Sequence, residues 1–214
     1  NPHRMGKWAD DSKTHVATMS DGDFRHNEQS VTVDAETTVD IVHTASDGTK
    51  TTLKAGIPLL AGEIMDSTRM SQKALDAFLA EQIDDAKAKG VLFSLHMKAT
   101  MMKVSDPVIF GHFVKTFFQP AFDKHQESFA SIGVNPNSGM GPILDKIASL
   151  PEDKQAEILS DIEACYANGP DLAMVNSHKG ITNLHMPNDV IIDASMPATI
   201  RTSGQMWNLN DESQ

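Results

Sequence analysis

Alternation of apolar and polar side chains in the first quarter of the chain predicts β-strands. Residues 14–19, 30–45 and 49–53 are rich in valine, threonine and isoleucine, which favour strands, and parts of them alternate with a period of two. The sequence Ser46-Asp47-Gly48 between the last two stretches is typical of a hairpin turn. We therefore expect a small antiparallel β unit near the N-terminus, ended by a connector at residues 56–62.

Beyond this unit, the apolar spacing changes to that of helices alternating with short apolar strands. Asp66 or Ser67 is expected to begin a helix that ends at Gly90. Residues 91–97 and 171–177 are apolar stretches with the length of buried strands. This alternation of helices and strands predicts an α/β fold.

Local signals predict where two later helices begin and end. Ser105 or Asp106, followed by Pro107, is typical of a helix N-terminus. Pro120 should kink or break that helix, because proline lacks the backbone N–H that an interior helical position needs. The sequence Asn168-Gly169-Pro170 is expected to stop another helix.

The domain organisation follows from these patterns and from the length of 214 residues, which suits one well-cored domain. We expect a strand-rich segment at residues 1–66 and an α/β portion at residues 67–207. A polar tail, residues 208–214, completes the chain. Together these are predicted to form one domain overall.

Charge and composition exclude several classes of partner. The formal net charge is −11 and the isoelectric point is near 5.1, without a dense cluster of lysine and arginine, so nucleic acids and anionic membranes are poor partners. The apolar runs are well short of the roughly 20 residues that span a bilayer, and the first residues lack a signal-peptide pattern. The single cysteine, Cys165, is expected to be a small buried hydrophobe and is consistent with a reducing cytoplasm.

Two stretches, residues 92–104 and 179–197, each set an ionisable side chain within an apolar run. Lys98 follows Leu95 and Met97, and Asp193 follows two isoleucines. A charge in apolar surroundings must shift its pKa, find a partner or bind a metal, so these positions are candidates for chemistry. The alternative is a structural ion pair, which the two side chains could form with one another. Asn188 is expected to cap a helical segment that places Asp189 one turn from Asp193.

Other motifs argue against a histidine metal site and a local nucleotide site. The chain has nine histidines but neither an HExxH motif nor Cys/His metal spacing, and neither dinucleotide nor phosphate-loop glycine patterns occur. Histidines in apolar contexts are expected to be core residues with satisfied hydrogen bonds, namely His96, His112 and His185. Methionines beside Lys98 are expected to fill the core, namely Met97, Met101 and Met102.

Long phrases of the sequence closely resemble the monomer-type, NADP-dependent isocitrate dehydrogenases. They are NPHRMGKW, THVATMSDGDF, LHMKATMMKVSDPVIFGH, MVNSHKGITN and MPNDVIIDASMPATIRTSGQMW. The resemblance covers essentially the whole chain, whereas chains of that family are several times longer. It implies an isocitrate dehydrogenase-like partial domain, and we expect this sequence to be an internal segment, the first part of the central domain.

The resemblance also implies roles for the two candidate residues. In the family, a lysine of the KATMMK phrase works with a distant tyrosine as the acid/base pair, and an aspartate of the IIDAS phrase binds Mg²⁺ or Mn²⁺. These match Lys98 and Asp193. Tyr166, the only tyrosine, does not match the catalytic one. The tyrosine partner, the other metal ligands and the groups that bind isocitrate and NADP would lie in segments outside this chain.

These implications lead to two different expectations for the protein. As part of a cytoplasmic isocitrate dehydrogenase, the chain would contribute Lys98 and Asp193 but would be inactive by itself. The isolated chain would pair with a second copy as a homodimer, with residues 14–53 exchanged or interlocked, because it lacks the other half of the domain and exposes an apolar face. The alternative is a stand-alone, non-catalytic binding or assembly module derived from the same family.

Overall fold

The computed structural model describes residues 5–98, 100–189 and 191–214. Residues 1–4, Ala99 and Val190, which belong to phrases quoted above, lie outside the described residues. The chain divides into two compact units, one formed by Met19–Ala74 and the other by Leu75–Gln214 with the described residues before Met19. The predicted region boundaries at residues 66 and 207 stay predictions.

The smaller unit consists of two antiparallel strand pairs. Strand β1 (Gln29–Thr32) pairs with β4 (Ile64–Ser67), and β2 (Thr37–Thr44) pairs with β3 (Lys50–Leu59). The β2–β3 hairpin closes through the predicted turn, where the N–H of Ala45 donates to the carbonyl of Thr49 at 2.9 Å. The small antiparallel β unit is therefore present as the sequence predicted.

Strand pairing overrides two local signals in this unit. A third expectation concerns residues 14–19, most of which belong to the larger unit, because they were expected to form a strand and are irregular. The expected connector at 56–62 instead continues β3 as far as Leu59, because Pro58 lies at an edge where its missing N–H is tolerated. Asp66 and Ser67 do not begin a helix, because both belong to β4 and pair with β1.

The larger unit is mainly helical. Its first helix ends at Lys89, directly before Gly90, as predicted. Gly90 stops the helix because it adopts a left-handed conformation with φ of +62°. The described helices are α1 (Gln72–Lys89), α2 (Ser105–Phe117), α3 (Gln119–Lys124), α4 (Gln126–Ser131), α5 (Met140–Ile147), α6 (Glu152–Asn168) and α7 (Ile192–Arg201). None of them combines the length and the apolar character that crossing a bilayer requires.

Local signals predicted two helix ends correctly and one helix start incorrectly. The break predicted near Pro120 is confirmed, because α2 ends at Phe117 and the proline sits in the first turn of α3. Helix α6 ends at Asn168, as the following glycine and proline predicted. The N-cap of α2, however, is Val104 and not Ser105 or Asp106, and the side chain of Asp106 is used elsewhere.

Aromatic side chains of α2 and of Phe118, the residue that follows it, form the centre of the larger unit. Phe113 stacks on Phe93 with ring centroids 4.7 Å apart, and Phe118 meets Tyr166 of α6 edge to face at 5.0 Å. Each fully buried aromatic or aliphatic side chain of this kind contributes about 1.5 to 3 kcal/mol through burial. Cys165 is buried nearby, and burial raises the pKa of its thiol, so it behaves as the predicted hydrophobe.

The α/β fold class is confirmed, although its strand pairing is sparse. Short strands β5 (Met174–Asn176) and β6 (Ile181–Thr182) form an antiparallel pair. The expected strand at residues 91–97 contributes two isolated parallel bridges, Phe93 with Leu172 and Met97 with Ile191. The second bridge brings together the two phrases that carry the candidate residues.

Candidate catalytic and metal-binding site

The structure joins the two candidate side chains directly. Lys98 Nζ donates to Asp193 Oδ2, although the two residues are 95 positions apart in the sequence. The side chain of Lys98 is 27% exposed and that of Asp193 is 58% exposed. The alternative in which the two residues pair with each other is therefore the one observed, but the pair lies at the surface of this chain and not in its core.

Exposure limits what this ion pair contributes to stability. Surface ion pairs are worth about 0 to 1 kcal/mol, because water screens the charges and two flexible side chains must be ordered. The Lys98–Asp193 pair therefore cannot by itself hold the two elements together. Their placement depends on backbone and buried polar contacts around them.

The segment that carries Lys98 is fixed by its own backbone. The N–H of Lys98 donates to Asp106 Oδ2 at 2.7 Å, and its carbonyl accepts from the N–H of Met102 at 2.9 Å. One residue earlier, the carbonyl of Met97 accepts from the N–H of Ile192 at 3.0 Å. Lys98 thus sits between the first turn of α2 and the start of α7.

Asp193 occupies the first turn of α7, whose N-cap is Ile191. The N-terminus of a helix favours negative charge, because unpaired backbone N–H groups point outward there. The predicted partnership with Asp189 on one helical face is wrong, because α7 begins at Ile192 and Asp189 lies in the turn before it. The expected cap at Asn188 is displaced for the same reason.

Behind the ion pair, polar side chains link the Lys98 segment to α7. His96 Nδ1 lies 2.7 Å from Ser195 Oγ, and His96 Nε2 lies 2.8 Å from Ser94 Oγ. Asn183, almost completely buried, donates from Nδ2 to Ser94 Oγ at 3.2 Å. At the other end, Ser195 Oγ donates to the carbonyl of Ile191 at 2.8 Å. We call the series Asn183, Ser94, His96 and Ser195 the histidine relay.

Burial of His96 lowers the pKa of its imidazole below the usual value, because the charged form loses solvation. The neutral ring is therefore favoured at neutral pH. Both ring nitrogens of His96 have hydrogen-bond partners, as predicted, but the residue is half-buried and does not belong to the core. Sequence analysis did not identify Ser195 as its partner, although Ser195 lies only two positions after Asp193 in the IIDAS phrase.

The methionines near Lys98 do not share one environment. Met97 is buried, as predicted, but Met101 and Met102 are 70% and 53% exposed. Val104 is also exposed. The expectation that Met101 and Met102 fill the core of this chain is wrong, because the turn from Lys98 to α2 points them outward, on the same loop as the candidate lysine.

A second group of possible metal ligands lies away from this loop. His125 and the α6 side chains Glu157 and Asp161 bring ligand atoms within 4.8 Å of one another. Lys124 Nζ, however, lies 2.8 Å from Asp161 Oδ2 and 3.4 Å from Glu157 Oε1. Lys124 is the main cause of the lowered pKa of Asp161, and His125 adds to it. The ammonium of Lys124 is already paired with both carboxylates, so we interpret the group as an ion-pair network.

Comparison with known proteins now identifies the family. The family model of monomeric isocitrate dehydrogenase matches residues 1–214. The chain belongs to this family. It is 57% identical over 213 residues to NADP isocitrate dehydrogenase from Corynebacterium glutamicum, covering 100% of this chain and 29% of that relative. It is 55% identical over 207 residues to the enzyme from Azotobacter vinelandii, covering 97% and 28% respectively.

The monomeric isocitrate dehydrogenase match confirms the resemblance and its extent. A third relative, NADP isocitrate dehydrogenase 2 of Mycobacterium tuberculosis, is 50% identical over 207 residues. The chain spans less than a third of the length of these curated relatives. Both phrases that carry Lys98 and Asp193 lie within the matched region.

Proposed function

We propose that this chain contributes a proton-transfer lysine, Lys98, and a metal-binding carboxylate, Asp193, to an NADP-dependent isocitrate dehydrogenase. The reaction is the oxidative decarboxylation of isocitrate to 2-oxoglutarate. The observation that carries the proposal is the contact of Lys98 Nζ with Asp193 Oδ2 across 95 positions. Two opposite charges on a fixed backbone, one half-buried and one exposed, are suited to bind and to turn over a ligand more than to stabilise a fold.

Lys98 is suited to move a proton at Nζ. Loss of hydride from C2 of isocitrate requires removal of the C2 hydroxyl proton, which a neighbouring side chain must accept. A lysine can do so only as the neutral amine held within hydrogen-bond reach of that hydroxyl, so the ammonium paired with Asp193 must first lose its proton. The contacts of the Lys98 backbone with Asp106 and with Met102 restrict where Nζ can lie.

Asp193 is suited to a hard divalent cation. Its carboxylate offers oxygen ligands, which Mg²⁺ and Mn²⁺ prefer, and its side chain is more than half exposed. Among the described residues, no group of three possible metal ligands includes Asp193. We therefore propose that Asp193 is one ligand of a set whose other members lie in other segments of a longer polypeptide. When bound, the ion would act as a Lewis acid on substrate oxygens.

Isocitrate and NADP would be bound largely by other segments of a longer polypeptide. The sequence carries neither of the glycine patterns that cradle dinucleotide phosphates. We therefore propose that the 214-residue chain alone is inactive and binds divalent cations weakly. Measurement of NADPH formation with Mn²⁺ and saturating isocitrate tests this. Turnover on the order of 10 per second, ordinary for an enzyme, would contradict it.

The role of Lys98 can be tested in the complete polypeptide encoded by the reading frame of this sequence. Lys98→Met should lower turnover by about 10² to 10⁴, typical of a lost general acid/base, with a smaller change in KM for isocitrate. Lys103→Met is the matched control, because Lys103 is exposed and belongs to the same KATMMK phrase. Near-normal turnover of Lys98→Met would disprove the proton-transfer role.

The role of Asp193 calls for a different readout. Asp193→Asn should raise the Mn²⁺ concentration needed for half-maximal activity, because it removes one anionic ligand. Asp189→Asn is the control, since Asp189 is exposed, close in sequence and outside α7. Equal effects of the two substitutions would count against a specific role for Asp193.

We further propose a homodimer of the isolated chain, placed in the cytoplasm because its one cysteine is a buried thiol. The β2–β3 hairpin supports the dimer, since it exposes apolar side chains of Ile41, Val42 and Leu53. These features suit the stand-alone assembly module equally well. A reading frame that continues past Gln214 into substrate and cofactor segments would favour the enzyme, and one that stops there would favour the module.

A further inference from the structure

One arrangement of hydrogen atoms satisfies every contact of the histidine relay. With the Ser195 hydroxyl donating to the carbonyl of Ile191, its Oγ accepts from His96 Nδ1. In a neutral imidazole, Nε2 is then the acceptor. Ser94 must therefore donate its hydroxyl hydrogen to Nε2, and it accepts from Asn183 Nδ2 in turn. Every donor in the series thus points towards α7.

This relay joins the same two elements as the ion pair, at matching positions. His96 lies two residues before Lys98 in an extended segment, and Ser195 lies two residues after Asp193 in α7. The bond from Ile192 N to Met97 O lies between these two links. The Lys98 segment and the first turn of α7 are therefore joined at three points, of which the ion pair is the most exposed.

We propose that His96, as its neutral Nδ1–H tautomer, is a positioning residue that acts through Ser195 to set Lys98 against Asp193. The inference rests on the proposed function, because it assigns a purpose to the placement of those two side chains. An exposed ion pair is too weak to define its own geometry. The partly buried bond from His96 to Ser195 supplies the missing constraint, and small misplacements of a catalytic group are costly to the rate.

Substitution of Ser195 in the complete enzyme tests the link. Ser195→Ala removes the acceptor for His96 Nδ1 and should lower kcat about tenfold. Ser195→Thr keeps a hydroxyl that can bond both Ile191 and His96, and it should restore kcat to within about threefold of the wild type. If Ser195→Ala lowers the unfolding temperature but leaves kcat unchanged, the relay is structural only and the inference is wrong.

Replacement of His96 tests the direction of the bond. An asparagine amide can place its N–H near the position of Nδ1, whereas a glutamine amide reaches the position of Nε2. His96→Asn should therefore keep kcat within about threefold, and His96→Gln should lose about tenfold. The reverse order would overturn the assignment of the Nδ1–H tautomer and, with it, the inference.

A double substitution separates this inference from the proposed function. Once Lys98 is replaced by methionine, no amine remains to be positioned, so Lys98→Met with Ser195→Ala should be no slower than Lys98→Met alone. A further tenfold loss in the double variant would show that Ser195 acts independently of Lys98. Normal turnover of Lys98→Met would instead disprove the proposed function, whereas slow Lys98→Met with unaffected Ser195→Ala would disprove only the positioning role.

Discussion

The backbone N–H of Lys98 donates to Oδ2 of Asp106 at 2.7 Å, across eight positions of the sequence. Asp106 thereby anchors the loop of the candidate lysine to the first turn of α2, and its other oxygen, Oδ1, accepts from Ser105 Oγ at 3.2 Å. Sequence analysis assigned Asp106 a possible capping role for α2. In the structure, the carboxylate of Asp106 instead holds the preceding loop, because it accepts from the N–H of Lys98.

Substitution of Asp106 should lower the stability of the chain. Asp106→Ala is expected to lower the free energy of unfolding by about 2 kcal/mol, because it removes a charge-assisted bond to a partly buried N–H. Asp106→Asn retains an acceptor oxygen and should lose less than half of that. Urea unfolding of both variants measures the difference, and equal stabilities would show that the bond to Lys98 contributes nothing.

A glycine at the start of α5 is predicted to be irreplaceable. Gly139 has φ of +86° and ψ of 179°, and an added Cβ would overlap the carbonyl oxygen of His185. Gly139→Ala should therefore cost about 3 kcal/mol or more. Gly180→Ala is the control, because Gly180 also has positive φ but open space around it, and it should cost about 1 kcal/mol. Denaturant unfolding compares them, and equal costs would contradict the packing argument.

The stability of the chain should fall at alkaline pH through Tyr166. Burial against α2 raises the pKa of its phenol from 10.0 to about 12, because the phenolate would lose solvation. Below pH 10.0 both states keep the proton. Between there and about 12 the unfolded state releases it first, so the free energy of unfolding decreases, by about 2 to 3 kcal/mol in total.

The phenolate absorbance of Tyr166 reports this titration directly, because the chain has one tyrosine. The folded protein should titrate near pH 12 and the urea-unfolded protein near pH 10.0. In Tyr166→Phe, the free energy of unfolding should not show this decrease between pH 10.0 and about 12. Titration of the folded protein at its ordinary value would contradict burial of the hydroxyl.

Assembly of the isolated chain can be tested on the β2–β3 hairpin. Light scattering at micromolar concentration should give twice 23.3 kDa, because the exposed apolar side chains favour a second copy. Leu53→Lys should shift the mass towards one copy, whereas Thr51→Lys, at a polar position of the same strand, should not. A wild-type mass of 23.3 kDa would contradict the dimer.

Much of the larger unit was predictable because its signals act over a few residues. Gly90 ends α1 and Pro120 separates α2 from α3 through backbone constraints that need no distant partner. The hairpin turn at residues 46–48 is of the same kind. Local propensity failed at Asp66 and Ser67, because pairing with β1 supplied backbone hydrogen bonds that the helix prediction did not take into account.

The sequence by itself determined the family of the chain and the two ionisable residues that are candidates for chemistry. Long phrases of the sequence and charges within apolar runs are visible without a structure. Only the tertiary structure decided that Lys98 meets Asp193, that His96 meets Ser195 and that Met101 faces outward. Contacts between residues almost a hundred positions apart depend on how α2, α7 and the segment between them pack. That packing depends on burial and hydrogen bonding summed over the whole unit, which a local pattern does not contain.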